Sequence, residues 1–239
     1  MKSLIALVSL TLLAALPARA QDVTVAVASN FLSTAEKLVA AFAETSDVDV
    51  VLTHGSTGQI FAQVSAGAPF DIFLSADAAR PERLRDAGKA SEVRTYAFGR
   101  LVLVSKDPVS PETLAEQVIG QPVALADPTV APYGLAATAA MEELGLDTGT
   151  FQPILVANVG QVATIFATGN ADFAFVAASL LPRLSPPEAL NLDGLHPPIR
   201  QDAARISPPG VNLASDAFWD FLFSSAARDI ILDAGYALP

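Results

Sequence analysis

VTVAVASNF, Val23 to Phe31, is the stretch around which the rest of the chain is organised. A run of mainly apolar residues gives way to Ser29 and Asn30, after which Ala35, Leu38, Val39 and Phe42 recur at helical spacing. The change of period, with small polar residues at the junction, reads as a buried strand handing its chain to a helix N-terminus. The arrangement then repeats. VDVVL, Val48 to Leu52, runs into His54-Gly55-Ser56-Thr57-Gly58, and Ile60 and Val64 mark a second short helix. The first N–H groups of a helix have no partner within it and carry the positive end of its dipole, so each junction is a potential seat for an anion.

Further along, strand-like runs alternate with helical patterns, the mark of an α/β fold on mainly parallel strands. Phe70 to Ser75 is a third strand, followed by a helix with Pro81 in its first turn that stops at Gly88. Tyr96 to Ser105 is long for a strand and carries Gly99 in its middle, as expected of a segment passing from one lobe to another. Val123 to Ala126, Ile154 to Ala157 and Asp172 to Ala177 are strands of the second lobe, and the first two exit at Ala131-Pro132-Tyr133-Gly134 and Asn158-Val159-Gly160. Pro182 to Pro198 is proline-rich and reads as surface loop. Ile199 to Ile206 is extended and serves as the return crossing, and Ala214 to Ser224 and Ala226 to Ala234 are helical. The expected domains are 21–100 with 206–239 as lobe I and 101–205 as lobe II, hinged near Gly99 and Ala203.

Met1 to Ala20 has the form of a cleaved secretory signal: Lys2, an apolar core from Leu4 to Leu16, and Ala18-Arg19-Ala20 as a small-x-small cleavage site. With no Cys in the chain there is no lipid attachment, disulfide or thiolate metal site, so the expected product is free in the periplasm. Loss of residues 1–20 removes Lys2 and Arg19 and leaves 12 basic against 25 acidic residues, a formal charge of −13. That balance excludes nucleic acid as a partner and repels anions at long range. An anion must therefore be held by short-range donors in a local pocket.

Open α/β sheets bind ligands beyond the C-terminal ends of their strands. Four helix starts converge there if the two lobes face each other: Ser29-Asn30, Ser56-Thr57, Tyr133-Gly134 and Val159-Gly160. None of the four contains Asp, Glu, Lys or Arg. A fully deprotonated tetrahedral dianion has acceptor oxygens only and asks for such a shell, whereas hydrogen phosphate also needs an acceptor for its proton. Asp77 and Asp127, at neighbouring strand ends, read as cap or turn carboxylates. Taken singly, Ser29, Asn30, Ser56 and Thr57 are ordinary N-cap types, Tyr133 suits a turn, and Val159 offers only its backbone. A hydrolase using Ser56 is the alternative from another class, but the turn is not Gly-x-Ser-x-Gly, and neither His54 nor His196 is placed to complete a triad. No phosphate loop, dinucleotide fingerprint or metal-ligand spacing is present.

VAVASNF, HGSTGQIFAQVSAGAPFDIFLSAD, YAFGRLVLVS, ALADPTVAPYG, NVGQVATIFATGNADFAFVA, PIRQDA and SSAARDIILDAGY, in that order over nearly the whole chain after residue 20, together resemble the periplasmic molybdate-binding proteins of ABC transporters, the ModA family of solute-binding proteins. The resemblance implies a two-lobe type II periplasmic binding protein clamshell with two crossover connections. It implies molybdate or tungstate held as the oxyanion by Ser29, Asn30, Ser56, Tyr133 and Val159, with no protein ligand to the metal. It implies neither a cofactor nor catalysis, a monomer, and delivery to an inner-membrane permease with its cytoplasmic ATPase; sulfate and vanadate are the alternative ligands. One branch of the family places a tyrosine on a strand near the cleft. Here that stretch is Phe175-Val176-Ala177-Ala178, and the APYG turn resembles the branch in which a residue at the position of Tyr133 serves instead.

Overall fold

The computed structural model describes residues 22–184, 188–207 and 212–239, so the expected signal segment lies outside the described residues. The first lobe contains β1 (Val23–Ala28), α1 (Leu32–Ala43), β2 (Val50–Gly55), α2 (Thr57–Ser65), β3 (Ile72–Leu74), α3 (Ala79–Asp86) and β4 (Ala90–Gly99). The second contains β5 (Leu101–Ser105), α4 (Pro111–Gln117), β6 (Pro122–Ala126), α5 (Pro132–Glu143), β7 (Gln152–Val156), α6 (Val159–Ala167), β8 (Phe173–Ala177), α7 (Leu181–Leu184) and β9 (Glu188–Asn191). The chain then returns to the first lobe as β10 (Ile199–Ile206), α8 (Ala214–Leu222) and α9 (Ser225–Asp233).

Two five-stranded sheets result, ordered β2-β1-β3-β10-β4 and β7-β6-β8-β5-β9. In each, one strand runs against its neighbours, and it is the strand next to a crossing: β10 in the first, β5 in the second. The other pairs, β1 with β2 and β3, and β6 with β7 and β8, are parallel. β1 reads as an apolar run because both of its faces are covered. Val23, Val25 and Val27 pack with α1, α8 and α9, while Ala26 faces Ile60, Val64 and Leu84 of α2 and α3. A separate core fills the second lobe, so each sheet is a rigid platform for the loops at its strand ends.

The long segment expected to cross between lobes does so at Gly99-Arg100, where β4 ends and β5 begins in the other sheet. The second crossing differs from expectation. Ile199–Ile206 lies wholly in the first sheet, and Ala203 pairs with Leu74 on one side and Arg94 on the other. A residue held in two ladders cannot act as a hinge, so the crossing falls in 192–198 and the second lobe ends before Ile199, not at Arg205. The stretch read as proline-rich loop also contains α7 and β9, an edge strand paired with β5. Proline on its flanks concealed it, and an edge position tolerates them.

Candidate functional site

The five residues singled out from sequence, Ser29, Asn30, Ser56, Tyr133 and Val159, line one cleft between the lobes, together with Thr57 and Asn158. Each arrives at the end of a strand. β1 delivers Ser29 and Asn30, β2 delivers Ser56 as the N-cap of α2, and β6 leads to Pro132 and Tyr133 at the start of α5. β7 leads to Asn158 and Val159 at the start of α6. The cavity among them is small, about 10 Å³, room for the centre of a single water-sized sphere. Sites for drug-sized ligands run from roughly 300 Å³ upward, so the cleft suits a species of a few heavy atoms. A larger groove of about 480 Å³ runs beside α5 and Pro197–Arg200, but Ala and Pro dominate its wall.

Donors do converge on the smaller cleft. Among the described residues, the backbone N–H groups of Asn30, Ser56, Thr57, Tyr133 and Val159 have no hydrogen-bond partner. The last three stand in the first turn of their helices, where none is available internally. Ser56 Oγ accepts from Gln59 N at 3.2 Å, and Ser29 Oγ accepts from Gly160 N at 3.2 Å. Each hydroxyl therefore keeps its proton for another acceptor. No charged side chain lines the cleft. Asp77 is engaged by Ser75, the Arg80 N–H and the Arg80 guanidinium, and Asp127 closes a turn on Thr129 N and Oγ1. Both have the local roles expected of them. His54 is exposed on β2, and the Gln59 N–H is the hydrogen-bond partner of Ser56 Oγ, with no histidine beside it.

Bonds across the cleft hold the lobes closed. Gly58 N donates to Val130 O at 2.9 Å, Arg80 to Thr129 O at 3.2 Å, and Ser179 Oγ to Asn30 O at 3.0 Å. The glycines allow the approach. A Cβ on Gly58 would stand 3.0 Å from Val130 Cα and O, and one on Gly99 only 2.2 Å from Tyr133 Oη.

Behind the cleft lies a polar network that sequence reasoning missed. Asn30 Nδ2 donates to Gln201 Oε1 at 2.9 Å and to Tyr236 Oη at 3.2 Å, so the side-chain amide hydrogens of Asn30 are committed and its backbone N–H remains for the cleft. The single proton of Tyr96 Oη is shared between Ser75 O at 2.9 Å and Gln201 Oε1 at 3.0 Å, and Gln201 Nε2 donates to Tyr133 Oη. All three tyrosines of the chain meet here. Burial pushes each phenol above its ordinary value, for Tyr96 with help from the neighbouring Tyr236 and Tyr133, so all three keep their protons at neutral pH. The signal for Gln201 was present in IRQDA, a polar amide in a strand otherwise buried at that point; its partners are 68 to 171 residues away in sequence and left no local trace.

The family profile described as bacterial extracellular solute-binding protein matches residues 23–237. The molybdate-binding protein ModA of Rhodobacter capsulatus is 39% identical over 229 residues, 93% of this chain and 90% of that protein. The ModA of Azotobacter vinelandii is 35% identical over 236 residues, 95% of this chain and 94% of that protein. The solved structure of the periplasmic molybdate-binding protein of Azotobacter vinelandii superposes with a TM-score of 0.83 at 33% identity, covering 91% of this chain and all of that one.

Proposed function

The chain belongs to the bacterial extracellular solute-binding proteins, among the ModA molybdate-binding proteins, and on that premise we propose that it captures molybdate or tungstate in the cleft between its lobes and delivers it to an ABC permease with its cytoplasmic ATPase. The observation that carries this reading is the uncharged cleft, with N–H and O–H donors from four separate strand ends and no carboxylate facing them. The donors are Ser29 and Ser56 through hydroxyls, and Asn30, Tyr133 and Val159 through backbone N–H groups, with the Tyr133 hydroxyl as a further candidate. Molybdenum enters as cargo, touched only through its oxygens. Among the described residues no cluster of three or more His, Cys, Asp or Glu is placed to ligate a metal directly. The protein works without a cofactor and without catalysis, as a monomer in the periplasm after loss of residues 1–20. No helix among the described residues is long and apolar enough to cross a membrane.

Thermal unfolding of the chain lacking residues 1–20, with excess molybdate, tungstate, sulfate, phosphate or vanadate in turn, tests this. A ligand at about 1,000 times its dissociation constant adds about 4 kcal/mol, a rise on the order of 10 °C for a chain of this size. A rise with molybdate and tungstate alone is expected; no rise with any of the five overturns the reading.

A further inference from the structure

We propose that Gln201 is a positioning residue for the oxyanion: its amide fixes the direction of the hydrogen bonds behind the cleft so that the Tyr133 hydroxyl faces the ligand as a donor. The inference rests on the oxyanion reading of the cleft. It starts from a backbone carbonyl, which can only accept. The one proton of Tyr236 Oη faces two acceptors, Asn30 O at 2.8 Å and Ser179 Oγ at 2.9 Å, the latter itself donating to Asn30 O; with its proton directed there, Tyr236 offers a lone pair to Asn30 Nδ2. The Asn30 amide thereby presents its second hydrogen to Gln201 Oε1, and Gln201 Nε2 is left facing Tyr133 Oη at 3.3 Å. Tyr133 oxygen is then an acceptor on that side. Besides Gln201 its polar neighbour is the Asn30 amide, whose hydrogens are directed to Gln201 and Tyr236; the Tyr133 hydroxyl itself donates to no described residue, although the side chain is buried and the residue lines the cleft. A buried donor without a partner is costly, and an anion oxygen in the cleft removes that cost.

The same direction of bonding sets specificity. With Gln201 in place, Tyr133 offers a proton and rejects an anion that itself carries one. A carboxylate at position 201 would accept a hydrogen bond from the Tyr133 hydroxyl and turn the phenol lone pair toward the ligand. The groups bonded to Gln201 are Asn30 after β1, Tyr96 from β4 and Tyr133 from α5; Tyr236 stands on the far side of Asn30, and Asp77 and Asp202 lie near Tyr96. The two carboxylates are paired with Arg80 and Arg200.

The test is Gln201→Glu, with molybdate affinity measured by calorimetry at about pH 9.5 and about pH 6, since buried carboxyls titrate as high as roughly pH 8–9. At the higher pH the variant is expected to bind molybdate about tenfold or more weakly than the unaltered chain. At the lower pH, where the protonated carboxyl can again donate to Tyr133, most of that loss is recovered. A role in packing alone predicts a loss that does not depend on pH. Gln201→Met, which keeps length and removes both polar atoms, is the second arm and decides the matter if Gln201→Glu does not fold; a loss of about tenfold is expected. Unaltered affinity in Gln201→Met, or a loss in Gln201→Glu that is equal at both pH values, overturns the role of Gln201. Failure of the unaltered chain to bind molybdate strikes the oxyanion reading itself.

Discussion

Ser56 has two tasks that one pair of substitutions separates. Its Oγ accepts the Gln59 N–H at 3.2 Å as the N-cap of α2, and its proton is free for an anion in the cleft. Ser56→Ala removes both. Loss of an N-cap costs about 1 kcal/mol, a fall of roughly 2–4 °C in Tm for a chain of this size. Loss of a hydrogen bond to a charged group costs about 1.5–3 kcal/mol, or roughly ten- to a hundredfold in affinity. Ser56→Gly keeps most of the cap, because glycine at that position costs only a few tenths of a kcal/mol, yet it still lacks the hydroxyl. The two variants should therefore differ in the Tm of the ligand-free chain and agree in their weakened molybdate affinity. Ser224→Ala is the control. Ser224 caps α9 through the same bond, accepting from Ala227 N at 3.2 Å, in a part of the first lobe that does not line the cleft. It should lower Tm and leave affinity alone. Calorimetric titration with thermal unfolding measures both quantities, and a Ser56→Gly protein that binds molybdate within about twofold of the unaltered chain refutes the assignment of Ser56 as a donor.

Gly99→Ala would place a Cβ 2.2 Å from Tyr133 Oη and 2.5 Å from Gln201 Nε2, so closure around the crossing is obstructed; about tenfold weaker binding is expected by titration, with a larger radius of gyration in solution scattering. Gly134→Ala meets backbone instead, 2.2 Å from Ala126 O and 2.8 Å from Ala126 C, where nothing can rotate away. A loss of about 3 kcal/mol or more in urea unfolding is expected, and a loss under about 1 kcal/mol refutes the packing argument. The phenols of Tyr96, Tyr133 and Tyr236 are all raised in the folded chain, chiefly by burial. Above the ordinary phenol value the unfolded chain releases protons that the folded chain keeps, so this contribution to stability is complete below about pH 10 and falls as pH rises, at up to roughly 4 kcal/mol per pH unit for three groups. Urea unfolding between about pH 8 and pH 11 checks the sign; stability that rises across that window contradicts it.

What could be read from the sequence and what could not divide along a physical line. β1, β6 and β8 were legible because strands buried on both faces are written as unbroken apolar runs. The four helix starts were legible because their cap residues are local. β9 was not, since an edge strand needs no apolar alternation and Glu188 to Asn191 shows none. The return crossing was misplaced because β10 is extended and partly polar, the pattern of a linker as much as of a strand between two antiparallel neighbours. For the cleft, the residue types were visible, but the division of labour within them was not. That the side-chain hydrogens of Asn30 are committed to Gln201 and Tyr236 depends on contacts more than 170 residues apart.

A chain of such negative charge lets an anion seat be recognised by local chemistry rather than by the field of the molecule. With 25 acidic residues and a cleft free of Lys and Arg, neither long-range attraction nor a local counter-charge is available. What remains is an arrangement of dipoles fixed by the fold: helix starts that cannot satisfy their own N–H groups, and hydroxyls whose orientation is set by a bond accepted from Gln59, Gly160 or Gln201. Orienting the hydroxyls matters as much as supplying the protons, because a hydroxyl free to rotate would serve a protonated and a deprotonated anion alike. Selectivity for a dianion then follows from residues behind the cleft as well as from those that line it. Gln201, at the centre of that second layer, belongs to the first lobe while its partner Tyr133 belongs to the second, so the bond that orients the donor joins the two lobes beside the Gly99 crossing.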